Sequence, residues 1–477
     1  MGCAAEAACY VDYRSFAVCL TSRKASGTVR GNPCRSGSMG GPGAIIIRYV
    51  RFGRLLMRLL KIIPVMLALA FAASTSAAPA PAKAHNDLQF SHQLDEERAE
   101  RLDKLVDRFN EQQKDVTLKL VRRVEGDAPK QINLVTRDEQ SRFVANRGKF
   151  KPLHEVMREA KEPFDGAKLS PELRVGLSDA KGKLFALPVA MSTPVLYFNK
   201  ASFRKAGLDP ENPPKTWSQV QQAADKLFDA GSKCPYTTSW PAWVHIDNVS
   251  AWNGAEVTDA KGNLAFNGLV QVKHVAMLST WYKARFFSYF GRRDEADRRF
   301  AAGECAMLTS SSSIYTALHE SRTVEAGVSP LPYHDDVRDA PQHTLADGAS
   351  LWIGAGLKPA EYKGIARFVS FLLGAEMQVE LTVAGGFLPM TPVARAAAGS
   401  KLLKADLAGL QVAYGQLQNK GTLRTLRVSQ FEPVRVIIDE ELETVWANKK
   451  PAKEALDTAV LRGNAVMPAL LKARLPL

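Results

Sequence analysis

Apolar residues recur at helical spacing across residues 95–113, where Leu102, Leu105, Val106 and Phe109 stand at i, i+3, i+4 and i+7 and predict an amphipathic helix. Short strand-like runs flank it at 88–90 and 116–121. Residues 184–189 and 195–198 are continuous apolar, β-branched or aromatic runs, the pattern of buried strands. Between them Pro188 and residues 191–194 are expected to interrupt regular structure, which makes this segment a crossing between lobes. The clearest helix start is Thr216, with Gln219 three residues on: a capping box in which each side chain satisfies an orphan backbone N–H. Val220, Ala223, Ala224, Leu227 and Phe228 form the apolar face of that helix, and Gly231 ends it. Further helical patterns cover 359–373, 435–446 and 452–471. Short strands alternating with helices predict an α/β architecture.

Composition changes this picture mainly at the N-terminus. With 477 residues, 46% apolar and 23% charged, the chain is neither disordered, collagenous nor polytopic in the membrane. A net charge of +14 invites a nucleic-acid partner, but residues 1–77 hold ten Lys+Arg against two acids. The rest is close to balanced, so no nucleic-acid partner is expected. Inside that leader Met57-Arg58-Leu59-Leu60-Lys61 is a basic segment, 62–73 an apolar run too short to span a bilayer, and 74–78 a stretch of small residues. This predicts a signal peptide at 57–77, cleaved after Ala77, with no Cys following it to take a lipid anchor; the mature chain is expected in the periplasm. Residues 1–56 are Gly/Ser/Arg-rich and aperiodic, and read as a non-native or disordered extension, with translation starting at Met57. Their four cysteines match no zinc spacing. Only Cys234 and Cys305 remain in the exported part, compatible with one disulfide or with two separately buried thiols.

Candidate chemistry is sparse. There is no HExxH, GxSxG, P-loop or GxGxxG pattern, and the eight histidines show no ligand spacing. Ser310–Ser313 lacks an identifiable base and reads as a polar loop, and His334-Asp335-Asp336 as a solvated turn; no cofactor and no metal are expected. Two features call for a ligand or a partner. Trp240 and Trp243, beside Pro241, offer flat apolar faces suited to the C–H edges of a sugar or glycerol. Arg435 stands between Val434 and Val436-Ile437-Ile438, where a buried guanidinium requires an anion, structural or bound.

At these residues the sequence resembles the glycerol-3-phosphate-binding branch of the extracellular solute-binding proteins of ABC importers, the family that includes maltose-binding protein. The resemblance runs over most of 180–475, through 192–200, 205–210, 213–217, 250–254, 287–289, Gly291-Arg292, 305–307, 348–352 and 435–443, and is much looser over 86–179. It implies a two-lobed, maltose-binding-protein-like clamp of type II, each lobe α/β, with three hinge crossings near 187–192, 347–350 and 387–391. Lobe I would comprise 78–190 and 348–390, lobe II 191–347 and 391–477. Ligand would bind between them and favour the closed state.

The family's phosphate-binding positions fall on Ser192, Ser311, Gly348 and Arg435, a coherent set because a guanidinium fork, hydroxyls and an amide together satisfy phosphate oxygens. Its tryptophan pair falls on Trp240 and Trp243. Three departures concern the glycerol side: a segment around 123–126 is missing, the first-lobe Glu falls near Asp138 (or Thr136), and a hinge Tyr is replaced by Phe387. The resemblance therefore implies a soluble, monomeric, non-enzymatic binding protein for glycerol 3-phosphate or a glycerophosphodiester such as glycerophosphocholine, delivering it to ABC permease transmembrane subunits. A sugar-binding member of the same fold is the alternative, and a secreted phosphodiesterase the reading from another class.

Overall fold

The computed structural model describes residues 86–472 apart from 125, 180, 405–406, 408, 418–427 and 429–430. The proposed leader and its four cysteines lie outside the described residues. Two sheets organise the rest. In the first, β1 (Asn86–His92) pairs in parallel with β2 (Val116–Arg122) and β3 (Ile132–Val135); β11 (Asp347–Gly354) runs antiparallel to β3, to β4 (Phe150–Lys151) and to β5 (Leu187–Ser192). The second has the order β10-β6-β9-β7-β8, from Ala326–Pro330, Pro194–Asn199, Met307–Ser311, Tyr236–Thr238 and Phe287–Ser288.

Each sheet is closed by helices whose apolar stripes are visible in the sequence. The helix Glu96–Gln112 is capped by Asp95 and buries Val106 and Phe109. The helix Pro359–Leu373 lays Ile365, Phe368, Val369 and Leu372 on the first sheet, and the Phe368 ring meets Phe109 and Phe90 edge-on at 5.1 and 5.6 Å. Gly364 permits that approach, because a Cβ there would lie 2.5 Å from the Val116 side chain. Fully burying a side chain of this size is worth roughly 1.5–3 kcal/mol, so this seam is a main source of stability. On the second sheet, the helix Trp217–Asp229 starts with the expected capping box at Thr216 and Gln219. It packs with Leu269–Lys283, Glu432–Trp446 and Ala452–Lys472 around Trp217, Tyr236, Trp281 and Phe287. The opposite face is covered by Phe300, Tyr315, Leu402 and Leu410 around Tyr197. Cys234 and Cys305, each just before a strand of this sheet, form a disulfide.

The fold is thus α/β with two sheets, and the chain passes between them at adjacent points. The first passage differs from expectation: residues 191–194 are not irregular. Strand β5 runs to Ser192 and β6 begins at Pro194, leaving Thr193 alone between the sheets. Proline is tolerated there because it is the first residue of its strand. Leu184, expected in a strand, instead forms an isolated bridge with Ser178. The return passage enters β11 at Asp347, directly opposite Ser192. The last passage is tied to the first by the Leu388 N–H, which donates to the Met191 carbonyl at 2.8 Å. Among the described residues no single helix is long and apolar enough to cross a membrane.

Candidate functional site

Where the strands cross, hydroxyls and amides collect. Ser192 ends β5 and Ser311 ends β9; the Ser311 hydroxyl donates to Ser192 Oγ at 2.7 Å, and Ser192 Oγ donates to the Asp347 carbonyl at 3.2 Å. Ser313 Oγ lies 2.7 Å from Ser311 Oγ. Gly348 is the second residue of β11, and its N–H donates to Asp347 Oδ1 at 2.8 Å. A side chain cannot replace its hydrogen: a Cβ would stand 2.0 Å from the Ala190 carbonyl oxygen. Phe387 is half-buried, and the neighbouring Gly386, in the left-handed region, sits so close to Ser313 that a Cβ there would lie 2.8 Å from the Ser313 carbonyl oxygen. Ser192, Ser311, Gly348 and the Phe387 segment are therefore brought together.

The tryptophans reach the site through an unusual local backbone. Trp240 has φ +54°, a left-handed conformation rare outside glycine, and its N–H donates to the Arg293 carbonyl at 2.9 Å. Immediately after it the wide-turned helix Ala242–Asn248 begins, and the N–H groups of Trp243 and Val244 both bond back to the Trp240 carbonyl. Such π-type turns are concentrated at functional sites. Trp243 is buried, with its indole N–H on the Leu345 carbonyl at 2.9 Å, while Trp240 is half-buried. The aromatic faces are not bare: the Arg137 guanidinium lies 4.5 Å from the Trp240 ring centre and 4.1 Å from that of Trp243. Its Nε is 3.0 Å from Asp347 Oδ2.

Arg435 lies in the first turn of the helix Glu432–Trp446 and is buried. Its guanidinium is 2.8 Å from Asp138 Oδ1, and Asp138 Oδ2 is 3.2 Å from Arg293. One and two turns further along the helix stand Asp439 and Glu443. Burial pushes the Asp439 carboxyl up to about 8, against the pull of Arg435 and Arg292 and the hydrogen bond from the Ala242 backbone. Arg292 grips Glu443 with two nitrogens, at 2.8 and 2.5 Å, and Tyr289 donates to the same carboxylate at 2.9 Å, holding it below its usual range. The helix thus presents a buried cation paired with Asp138 near its start and, one turn on, a buried carboxyl bonded to the backbone of the Trp-bearing turn.

Arg137 was not legible as a site residue, since only the fold brings it against Trp240, Trp243 and Asp347. A surface hollow lined by Gln93, Arg123, Asp127, Glu139, Arg142 and Lys149 lies beside the turn that follows β2. Glu139, next to Asp138, is turned inward there and pairs with Arg123 and with Thr136. Among the described residues no group of three or more His, Cys, Asp or Glu is arranged to hold a metal ion.

Residues 104–408 match the sequence profile of the bacterial extracellular solute-binding proteins. The sn-glycerol-3-phosphate-binding periplasmic protein UgpB of Pectobacterium atrosepticum is 38% identical over 413 residues, 81% of this chain and 93% of the relative. Its namesake from Escherichia coli strain K12 is 37% identical over 414 residues, with 81% and 93% covered. Among solved structures, UgpB from Mycobacterium tuberculosis in complex with glycerophosphocholine superposes with a TM-score of 0.69 at 19% identity, covering 80% of this chain and 98% of that one. The cyclic α-maltosyl-1,6-maltose binding protein from Arthrobacter globiformis does so with 0.65 at 21% identity, covering 80% and 99%. These neighbours share the maltose-binding-protein-like fold.

Proposed function

The chain belongs to the bacterial extracellular solute-binding protein family, and on that premise we propose that it is the periplasmic substrate-binding component of an ABC importer. It takes sn-glycerol 3-phosphate or a glycerophosphodiester between its two lobes and presents it to the permease. The observation that carries this reading is a pair of contact runs at the strand passages, joined through the adjacent residues Arg137 and Asp138. Arg435 meets Asp138; the adjacent Arg137 meets Asp347; Asp347 meets Gly348 N–H and Ser192; and Ser192 meets Ser311. In this arrangement a phosphate takes the place of the Asp138 carboxylate on Arg435, and the serine hydroxyls and the Gly348 amide complete its oxygens. Charge-assisted bonds of roughly 1.5–3 kcal/mol each supply the ~8 kcal/mol of micromolar binding once ordering costs are met. The lobes close about the three strand passages, with 78–190 and 348–390 in one lobe and 191–347 and 391–477 in the other.

Titration calorimetry of the purified protein with glycerol 3-phosphate, glycerophosphocholine and maltose tests the reading. Micromolar binding of a phosphate ligand, abolished by Arg435→Ala, supports it. Heat with maltose and none with either phosphate compound overturns it in favour of a sugar-binding protein of the same fold.

A further inference from the structure

We propose that Arg137 is a specificity-determining residue of the cleft, selecting phosphate ligands with an uncharged polar tail over those with a quaternary ammonium. This rests on the phosphate-binding reading above and narrows it. The faces of Trp240 and Trp243 are the surfaces in this cleft best suited to a cation, because the negative ring faces of indoles attract positive charge and are the usual seat of a quaternary ammonium. Here the cation is supplied by the protein. The Arg137 guanidinium stands 4.5 and 4.1 Å from the two ring centres. It is anchored there by Asp347, the buried residue whose other oxygen holds the Gly348 N–H. Arg137 and Asp347 are respectively 9% and 1% exposed at their side chains, so this pair is shielded from screening by solvent. Next along the chain, Asp138 is already engaged by two further cations, Arg293 and Arg435.

A trimethylammonium group entering this slot meets a like charge at short range, already seated over the two indoles. It has no N–H with which to replace Arg137 on Asp347. A glycerol tail meets no such penalty: its hydroxyls accept from the guanidinium and donate to the carboxylates, while its C–H edges need only the rims of the indoles. The same chemistry rejects other cationic tails with a graded effect, since a primary ammonium retains N–H donors.

Calorimetry compares the unmodified protein with Arg137→Gln and Arg137→Ala, using glycerol 3-phosphate, glycerophosphocholine and the neutral isostere of the latter bearing a 3,3-dimethylbutyl ester. The unmodified protein is expected to bind glycerol 3-phosphate at least tenfold more tightly than glycerophosphocholine, and the neutral isostere more tightly than its choline counterpart. In both variants the preference for the monoester falls to within a few-fold or reverses. Equal affinity for the choline diester and its isostere in the unmodified protein, or a ratio unchanged by the variants, overturns the assignment while leaving the phosphate reading intact. The isostere comparison stands even if both variants fail to fold. Absence of heat with every phosphate ligand overturns both readings together.

Discussion

Arg435 and Asp138 face each other at 2.8 Å, the first from the opening turn of a helix packed on the second sheet, the second from the loop after β3 of the first. The pair joins elements of the two sheets at the residue where the proposed function puts a phosphate. Arg435 is nearly buried and Asp138 about a quarter exposed, so the carboxylate is the partner that yields more readily to water or to a competing anion.

Competition between that carboxylate and a ligand anion is measurable with inorganic phosphate, which has no glycerol tail to confuse the outcome. Arg435→Ala is expected to weaken phosphate binding by about 2–5 kcal/mol, thirtyfold or more, as removal of one member of a buried charge pair does. Asp138→Asn should strengthen it several-fold, because the guanidinium no longer has a competing anion. Weaker phosphate binding by Asp138→Asn would show that Asp138 serves the ligand rather than opposing it.

Gly348 is constrained by the neighbouring strand β5. A methyl group there would lie 2.0 Å from the Ala190 oxygen and 2.8 Å from Met191 Cα, both backbone atoms that cannot rotate away. Gly348→Ala is expected to destabilise the protein by about 1–3 kcal/mol in urea unfolding, through forced separation of β5 and β11. Because that separation moves Ser192 relative to Asp347, phosphate affinity should fall with it. Unchanged stability would mean that the two strands are looser than their pairing indicates.

Acid sensitivity has a separate origin, behind the second sheet. His245 Nδ1 lies 2.9 Å from His274 Nε2, and His274 Nδ1 lies 3.0 Å from His334 Nε2; Tyr236 continues the row toward Thr309. Trp217 packs against all three rings. Only His334 approaches charged groups, with Asp335, Asp336 and Lys273 around it. Burial holds His245 down at about 3; burial and its two imidazole neighbours lower His274, and burial lowers His334. The folded state thus keeps these groups neutral, and their contribution to stability is complete above the unfolded value of about 6.5 and is lost as pH falls below it. Each imidazole kept neutral in the folded state adds a fall of up to about 1.4 kcal/mol per pH unit below that point, while the raised carboxyls of Asp439 and Asp297 act in the opposite sense. Urea midpoints between pH 6.5 and 5, compared for the unmodified protein and His334→Gln, should fall less steeply in the variant. A slope left unchanged by His334→Gln would contradict the row of neutral imidazoles.

The disulfide should matter more to stability than to binding. Cys234 and Cys305 are 71 residues apart in sequence, and closing a loop of that size stabilises by about 4 kcal/mol in the chain-entropy account. Reduction should therefore lower the unfolding temperature markedly while leaving ligand affinity unchanged for as long as the protein is folded. Loss of affinity in the folded, reduced protein would tie the bridge to the site itself.

What the sequence by itself determined is what depends on neighbours along the chain. The helix over 359–373 and the capping box at Thr216 are present because periodic burial and a local hydrogen-bond exchange need only a few consecutive residues. Resemblance to a family carried Ser192, Ser311 and Gly348 to positions that the strands bring side by side, since strand ends occupy the same places throughout a fold. The tertiary structure decided the rest. Pro194 begins a strand because pairing with Ser311 of β9 outweighs its local tendency to break one. The union of Cys234 with Cys305 follows from adjacent strand starts, which spacing alone left open between a bridge and two thiols. Arg137 could not be read as part of the cleft, for nothing near it in sequence requires a ligand. Its partners Trp240, Trp243 and Asp347 are a hundred or more positions away, and electrostatic and cation–π attraction act through space, so only the folded chain brings that charge to the tryptophan pair.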